Sequence, residues 1–309
     1  MTTVPKSSPS GYAFAKGRDK LRAHLAMLLF AVLIAGSFSF GGIATKYASP
    51  AAINMLRYVV SVAVMAAGIV FILKRRLVFP VAFWRFALLG LLMAVYMFTM
   101  FKALEITSPV STGAVFTLMP LISAGFAWAF IRQRTRLDVL ASLVLAAAGA
   151  IWVIFRGDVR AILSFDVGTG ELIFFVGVVC HAAYAPLIRI FNRGEDAFAF
   201  GFWAIVSTCL WLSLPGIPAL AATPVFDLPP IVWAAIFYLA VVTTAFTFLL
   251  LQYAAMRLPS SKVLAYGYLT PTFIIVLEGL LGHGWVSMAV FGGALVTACG
   301  LLLMAMLPD

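Results

Sequence analysis

The chain alternates between long apolar stretches and short segments rich in proline, glycine and charged residues. The apolar stretches cover residues 23–44, 49–73, 82–103, 110–131, 138–155, 168–189, 197–214, 230–254, 261–281 and 285–307. Each stretch approaches the roughly 20 residues with which an α-helix crosses a bilayer. Lipid offers no hydrogen-bond partners to an open backbone, and the strands of a barrel would be shorter and would alternate in polarity. The pattern therefore predicts ten transmembrane helices.

The composition supports an all-α integral membrane protein. Of the 309 residues, 64% are hydrophobic and only 10% are charged, and the mean hydropathy is +1.09. A soluble domain carries about 25% charged residues, so a water-soluble fold of this length could not bury so much apolar surface. Residues 1–22 are more polar, and we expect them to form a cytoplasmic tail ahead of one ten-helix domain at residues 23–309.

The Lys and Arg residues fall mostly in alternate segments between the predicted helices. By the rule that cytoplasmic loops carry the excess of basic residues, both termini are predicted to be cytoplasmic in a multi-pass protein of the cell inner (plasma) membrane. The net charge of +10 is explained by this topology, so we expect the lipid bilayer as a partner and no nucleic acid.

The two halves of the chain echo each other when one is shifted by 151 positions. Ala103 then falls on Ala254, Leu118 on Leu269, Pro120 on Pro271 and Gly149 on Gly300. Each half holds five predicted helices, so the halves must have opposite orientations. We expect two inverted five-helix repeats, at residues 23–155 and 168–307, around a central cavity, as is common in secondary transporters.

Two prolines, Pro120 and Pro271, lie inside the fourth and ninth predicted helices. Proline removes a backbone donor and bends a helix. The bends are interpreted either as kinks that improve packing or as openings whose freed carbonyls face a cavity.

Small residues recur every four positions in the fifth and tenth predicted helices. The residues are Ser142, Ala146, Ala150, Ala289, Gly293 and Thr297. This spacing lets helix backbones approach closely. It predicts a packing seam or the seam of a homodimer, and not a substrate site.

The second half carries motifs of a known family. Residues 252–271 form a Tyr-Ala…Ala…Pro stretch that leads into the ninth helix, Gly282 and Gly293 follow it, and an Arg-aromatic pair, Arg57 and Tyr58, stands in the second helix. After residue 23 nearly the whole chain resembles the EamA type of the drug/metabolite transporter (DMT) superfamily, in particular its YddG-like amino-acid exporters. The resemblance implies export of amino acids, aromatic ones included, by alternating access. It differs where Gly-Glu pairs of the family are replaced, one of them by Gly282 and His283.

Three ionisable residues within the predicted helices are candidates for a functional role. Arg57 either anchors a substrate carboxylate or makes a structural pair, because an intramembrane charge usually finds a partner inside the bundle. His181 hydrogen-bonds a substrate, shuttles a proton, or makes one interhelical hydrogen bond. Glu278, near the outer end of its helix, either couples protons or reaches the headgroups.

Aromatic side chains with a polar end suit a pocket for amino acids of varied shape, since small-molecule sites combine apolar walls with a few polar groups. The candidate substrate-binding residues are His181, Tyr96, Tyr184, Met119, Tyr266, Tyr268 and Arg57.

Several chemistries find no support in the sequence. There is no phosphate-binding Gly-rich loop, no His-Glu-x-x-His motif and no metal-ligand spacing among the three cysteines. We expect no enzyme, no cofactor and no metal. Besides amino-acid export, two hypotheses stay open, namely export of other small metabolites or drugs and a non-transporting membrane scaffold.

Overall fold

The computed structural model describes residues 17–132, 137–164, 167–255, 257–258 and 266–306, and these residues form helices and no strand. The helices are α1 (Gly17–Ala44), α2 (Pro50–Ala67), α3 (Trp84–Ile106), α4 (Pro109–Phe116), α5 (Met119–Ile131), α6 (Leu137–Ile154), α7 (Val159–Ser164), α8 (Thr169–Phe191), α9 (Ala197–Ala221), α10 (Pro230–Phe237), α11 (Thr247–Ala255), α12 (Thr270–Leu280) and α13 (Met288–Met306).

These helices confirm the predicted ten spans. Among the described residues, seven helical stretches are long and apolar enough to cross a membrane. The other three are the eighth span, in which the π-helix Tyr238–Phe246 joins α10 to α11, the ninth span with α12, and the tenth with α13. Residues 261–265, which were predicted to begin the ninth span, lie outside the described residues. The helix α1 begins at Gly17, earlier than predicted.

Serine–proline pairs define two of the helix starts. The Ser49 hydroxyl accepts from the Ala52 amide at 3.3 Å before α2, and the Ser108 hydroxyl accepts from the Ser111 amide at 3.1 Å before α4. In both helices the next residue is proline, which loses no hydrogen bond in the first helical turn. The same local chemistry therefore starts two spans on one face of the protein.

The two predicted bends are short interruptions between helical segments. The helix α4 ends at Phe116, the Thr117 hydroxyl donates to the Ala114 carbonyl at 2.6 Å, and Pro120 is the second residue of α5. Likewise Pro271 is the second residue of α12, which follows the 3-10 turn Tyr266–Leu269. Each proline thus begins a new helix, where its missing N–H costs little.

The helix contacts follow the twofold relation between the repeats. The first helix of each half packs against the third and fourth spans of the other half: α8 against α3, α4 and α5, and α1 against α10, α11 and α12. The second spans, α2 and α9, pack together, and so do the fifth spans, α6 and α13. The two halves are therefore interleaved around a shared centre.

The small-residue faces of the fifth and tenth spans pack on each other within one chain. The Thr297 hydroxyl on α13 donates to the Ala146 carbonyl on α6 at 3.3 Å. A Cβ added at Gly149 would lie 2.5 Å from that hydroxyl, and one added at Gly300 would lie 2.9 Å from the Ser142 carbonyl. These faces therefore form a packing seam within one chain, which is one of the two interpretations of the spacing, and the homodimer stays a prediction.

The helix ends divide into two faces. We call the face at which α1 begins the predicted inner face and the face at which it ends the predicted outer face. Between them, exposed apolar residues follow α1 at intervals of three and four, namely Leu21, Leu25, Leu28 and Val32. Such a stripe on the outside of a bundle of this hydropathy faces lipid.

Candidate functional site

Three of the predicted site residues come together where α3 packs along α8. The His181 ring lies 4.3 Å from the Tyr96 ring and 5.9 Å from the Tyr184 ring, measured between ring centroids. The Tyr96 ring also lies 5.6 Å from the Phe174 ring. We call Tyr96, Phe174, His181 and Tyr184 the α3–α8 cluster. It joins a helix of the first repeat to the first helix of the second repeat.

The His181 side chain has an unused hydrogen-bonding atom inside this cluster. Its Nδ1 atom is buried and has no hydrogen-bond partner among the described residues. A buried polar atom without a partner costs about 1–3 kcal/mol, so a ligand that bonds it gains that amount. The aromatic neighbours continue from Phe174 to Phe38 on α1 at 6.3 Å and from Phe38 to Phe116 on α4 at 5.7 Å.

Arg57 is buried on α2, with 3% of its surface exposed. One of its terminal nitrogens donates to the Met97 sulfur at 3.3 Å, and the other donates to the hydroxyls of Thr243 and Thr244 at 3.3 Å each. Its Nε atom has no partner within the described part of the chain. Arg57 thus ties α2 to α3 and to the eighth span through neutral groups, and no carboxylate among the described residues pairs with it.

The π-helix explains how two consecutive threonines reach the same guanidinium. Adjacent residues of an α-helix point about 100° apart, so they rarely share one partner. In this segment the hydroxyls of Thr243 and Thr244 both donate to the Leu239 carbonyl at 2.9 Å. Widened turns of this kind recur at functional sites. Sequence reasoning missed these threonines, although they are two consecutive polar residues in the middle of an apolar span.

The remaining candidates lie at other places. Met119, the first residue of α5, packs on the core that contains Tyr96. Tyr268 is buried against Leu143 and Ala146 of α6, and its hydroxyl has no partner in the described ranges. The Tyr266 hydroxyl lies 2.8 Å from the His24 Nδ1 atom near the start of α1. The structure therefore brings His181, Tyr96 and Tyr184 together, and it places Tyr266 and Tyr268 in separate clusters.

A cavity of about 700 Å³ opens at the predicted outer face. It is lined where α1, α3, α6 and α12 end and where α4 begins, by Ser39, Gly42, Ile43, Lys46, Leu104, Glu105, Ile106, Thr107, Ser108, Pro109, Arg156, Glu278 and His283. We call this the outer cavity. It adjoins a smaller cavity of about 260 Å³ with which it shares Ser108, Arg156, Glu278 and His283.

Glu278 is the buried acidic group of the outer cavity, with 8% of its surface exposed. One carboxylate oxygen lies 2.8 Å from the His283 Nδ1 atom, and the other is buried without a hydrogen-bond partner in the described residues. Sequence reasoning placed Glu278 near the outer end but missed His283. The available signal was the position of His283 where the family has glutamate.

Ion pairs join two loops at the predicted inner face. Arg85, which is 2% exposed, donates to Glu195 at 2.6 Å, to the Val81 carbonyl at 2.7 Å and to the Phe191 carbonyl. Nearby, Arg75 lies 2.7 Å from Asp196, and both of these side chains are about half exposed. We call these four charged residues the inner ion-pair cluster.

The pKa values of both carboxylates in the inner ion-pair cluster lie below their ordinary values, which favours the ionised form. Burial raises the pKa of Glu195, but hydrogen bonds from Arg85 and from the Arg193 amide outweigh it, so the pKa lies below its ordinary value. The hydrogen bond from Arg75 lowers the pKa of Asp196. Asp196 also accepts from the amides of Phe198 and Ala199 and so caps α9. Both carboxylates are therefore ionised at neutral pH.

The protein has ten spans in two interleaved repeats. A polar cavity opens at one face, and ion pairs connect the two repeats at the other. These features define a multi-pass membrane protein of the transporter class. The sequence model of the EamA-like transporter family matches residues 21–155 and again residues 168–306, and the chain belongs to this family. Members of the family are transporters, which confirms the predicted class and the expectation that the protein is not an enzyme.

Two relatives carry the same general description. The chain is 24% identical over 280 residues to "Uncharacterized transporter YyaM" of Bacillus subtilis (strain 168), covering 89% of this chain and 91% of the relative. It is 24% identical over 258 residues to an "Uncharacterized transporter" of Archaeoglobus fulgidus, covering 82% and 87%. A solved crystal structure aligns with a TM-score of 0.66 at 21% identity, over 93% of this chain and 98% of that one, and this likeness shows the fold alone.

Proposed function

We propose that the protein exports amino acids, aromatic ones included, across the inner membrane by alternating access, with the α3–α8 cluster as its central site. The observation that carries the proposal is the His181 ring, which packs between two tyrosine rings at a contact between the repeats and has a buried nitrogen without a partner. Transporters with inverted repeats bind substrate between the repeats near the midplane.

The chemistry of the cluster suits a substrate that has an aromatic side chain and a polar head group. Tyr96, Phe174 and Tyr184 offer ring faces and edges, and aromatic pairs gain about 0.5–1.5 kcal/mol beyond area burial. His181 offers the hydrogen bond that a head group needs. Arg57 donates to the sulfur of Met97, the residue that follows Tyr96 on α3. It has no carboxylate partner among the described residues, and the carboxylate of a substrate would be such a partner.

The state of the two faces supports alternating access. The outer cavity is open, whereas the inner ion-pair cluster ties the loop between α2 and α3 to the loop between α8 and α9. These loops belong to different repeats. Under the proposal, this arrangement is the outward-open state, and export requires the inner ion pairs to separate.

The proposal is tested by uptake of labelled phenylalanine, threonine and glutamate into proteoliposomes, with and without preloaded unlabelled amino acid. We expect saturable uptake, stimulated by preloading and strongest for phenylalanine. His181→Ala should lower it at least tenfold, and Tyr253→Phe, outside the cluster, should leave it unchanged. Equal rates with wild-type protein and empty vesicles, for a protein shown to be folded, would refute amino-acid export and favour other metabolites or a scaffold.

A further inference from the structure

The outer cavity holds opposite charges that do not neutralise each other. Glu278 is buried, and one of its oxygens has no hydrogen-bond partner within the described ranges. Arg156 and Lys46 line the same cavity, and neither makes an ion pair with another described residue. Glu105, the other carboxylate of the cavity, is already paired with Lys102 at 2.5 Å. One free oxygen of Glu278 and two cations outside any ion pair of the described residues therefore remain, while the other Glu278 oxygen contacts His283.

Arg156 and Glu278 line the same small cavity. Arg156, Glu278, His283 and Ser108 all line the smaller adjoining cavity of about 260 Å³. At the end of α6 the Arg156 backbone has a left-handed conformation, with φ of +57°, and the next amide, of Gly157, donates to the Trp152 carbonyl at 2.9 Å. The Trp152 indole in turn donates to the Ala289 carbonyl at 2.9 Å. These hydrogen bonds connect the turn that carries Arg156 to the start of α13.

We propose that the outer cavity is a second binding site, which takes the zwitterionic head group of an amino acid as it leaves the protein. The proposal rests on the proposed function. The ammonium group hydrogen-bonds the free Glu278 oxygen, and the carboxylate pairs with Arg156, aided by Lys46 and the Ser108 hydroxyl. Charge-assisted hydrogen bonds of this kind are about twice as strong as neutral ones.

The exposure of the cations fits a site from which substrate must depart. Arg156 and Lys46 are exposed to solvent, where pairing is weak and screened by salt, whereas Glu278 is buried. A head group is therefore oriented mainly by its ammonium group and released readily into water. A phosphatidylethanolamine headgroup carries the same pair of an anion and an ammonium group, so the experiment must separate these two sources.

The test combines substitutions with truncated ligands in nanodiscs of phosphatidylcholine. The probes are phenylalanine, 3-phenylpropionate, which lacks the ammonium group, and phenethylamine, which lacks the carboxylate. Trp285 lines the smaller cavity, so its fluorescence, taken as the difference from a Trp285→Phe variant, reports binding there. We expect phenylalanine to bind about tenfold more tightly than either truncated ligand.

Two variants that each remove one charge assign the groups. In Glu278→Gln, phenylalanine and 3-phenylpropionate should bind equally, whereas in Arg156→Gln, phenylalanine and phenethylamine should bind equally. The control is Asp227→Asn, which removes an exposed acidic charge that lines neither cavity and should keep the wild-type preference. Equal affinities for all three ligands in the wild type, or an unchanged preference in Glu278→Gln, would overturn the proposal.

Three further outcomes distinguish a lipid ligand from an amino-acid ligand and the second site from the proposed function. A Trp285 signal that responds only when phosphatidylethanolamine is added would assign the cavity to lipid and overturn the exit site. Phenylalanine transport without head-group selectivity at Trp285 would remove the second site and leave the proposed function standing. Selective binding without transport would support the site and refute export.

Discussion

The inner ion-pair cluster allows one prediction to be worked out from geometry alone. It contains two ion pairs to the loop between α8 and α9, one from the start of α3 and one from the loop before it. They differ in burial: the side chains of Arg85 and Glu195 are 2% and 25% exposed, and those of Arg75 and Asp196 are 52% and 44% exposed. The perturbation is Glu195→Gln, which keeps shape and one acceptor oxygen but removes the charge. The matched control is Asp196→Asn, which removes the charge of the exposed pair and can still cap α9.

The expected magnitudes follow from burial. Removing the partner of a fully buried charge costs about 3–5 kcal/mol, and the partial exposure of Glu195 reduces this to about 2 kcal/mol. An exposed pair contributes about 0.2–1 kcal/mol, so Asp196→Asn should cost about 0.5 kcal/mol. At about 2–4 °C per kcal/mol, the midpoint of thermal unfolding should fall by about 6 °C in the first variant and by under about 2 °C in the control.

The sign of the pH dependence is also fixed. The folded pKa of Glu195 lies below its ordinary value of about 4.5, so the stabilisation from this group is complete above that value. It is lost as the pH falls through the folded pKa, because the unfolded chain then binds the proton first. The difference in unfolding midpoint between wild type and Glu195→Gln should therefore be largest at neutral pH and should shrink below about pH 4.5.

The assay is thermal unfolding of the purified protein in detergent, followed with a thiol-reactive dye that reports exposure of the half-buried Cys180 and Cys209. The scans are run at pH 7 and at pH 4. Equal shifts for Glu195→Gln and Asp196→Asn at pH 7 would refute the reasoning from burial. A difference that grows at pH 4 would refute the assigned direction of the Glu195 pKa.

The remaining predictions concern the seam, the central site and Arg57. Gly149→Ala should destabilise the protein by about 1–3 kcal/mol in the same assay, because the added Cβ meets the α13 backbone at 2.6 Å, whereas Gly292→Ala, which meets nothing within 4 Å, should be neutral. If His181 carries the coupled proton, His181→Ala should abolish the pH dependence of proteoliposome transport without unfolding the protein, and an unchanged pH profile contradicts that role. Arg57→Lys keeps the charge but loses the fork that reaches Met97 with one nitrogen and both threonines with the other, so the unfolding midpoint should fall, and a midpoint equal to that of wild type shows that the fork is not needed.

The spans could be predicted because hydropathy and the residues that begin or end helices both act over short stretches of sequence. A stretch of about 20 apolar residues is long enough to cross lipid whatever surrounds it. The Ser-Pro pairs at Ser49 and Ser108 begin helices through contacts three residues away. The turn before Pro120 was harder to predict, since a proline inside an apolar stretch is compatible with a kink or with two separate helices.

Which candidate side chains lie close together could be predicted only where they belong to the same helix. His181 and Tyr184 are three residues apart, so a shared face follows from helix geometry. The contact of Tyr96 with His181, and the separation of Tyr266 and Tyr268 from both, depend on which helices are neighbours. In a span whose lipid side and protein side are both apolar, hydrophobic periodicity does not indicate which side faces the core.

The small residues at every fourth position also show the difference between what the local sequence indicates and what depends on contacts with distant helices. Spacing by four correctly indicates that a backbone approaches closely at Ala146 and Thr297. The spacing does not identify the helix that packs on this face, because a helix of the same chain and a helix of a second copy would require the same groove of small residues. The twofold relation between repeats decides it here, since it pairs the fifth span of one half with the fifth span of the other.

The helix α3 connects all three functional regions. It has 23 residues and no internal proline, so it is a continuous rod of about 35 Å. Arg85 at its start belongs to the inner ion-pair cluster, Tyr96 lies in the α3–α8 cluster, and Glu105 at its end lines the outer cavity. Under the proposed mechanism, releasing Arg85 lets this rod tilt against α8 and narrows the outer cavity. Glu195→Gln should therefore slow thiol labelling of a Ser108→Cys variant from the outside at least twofold, and unchanged labelling would show that the two ends move independently.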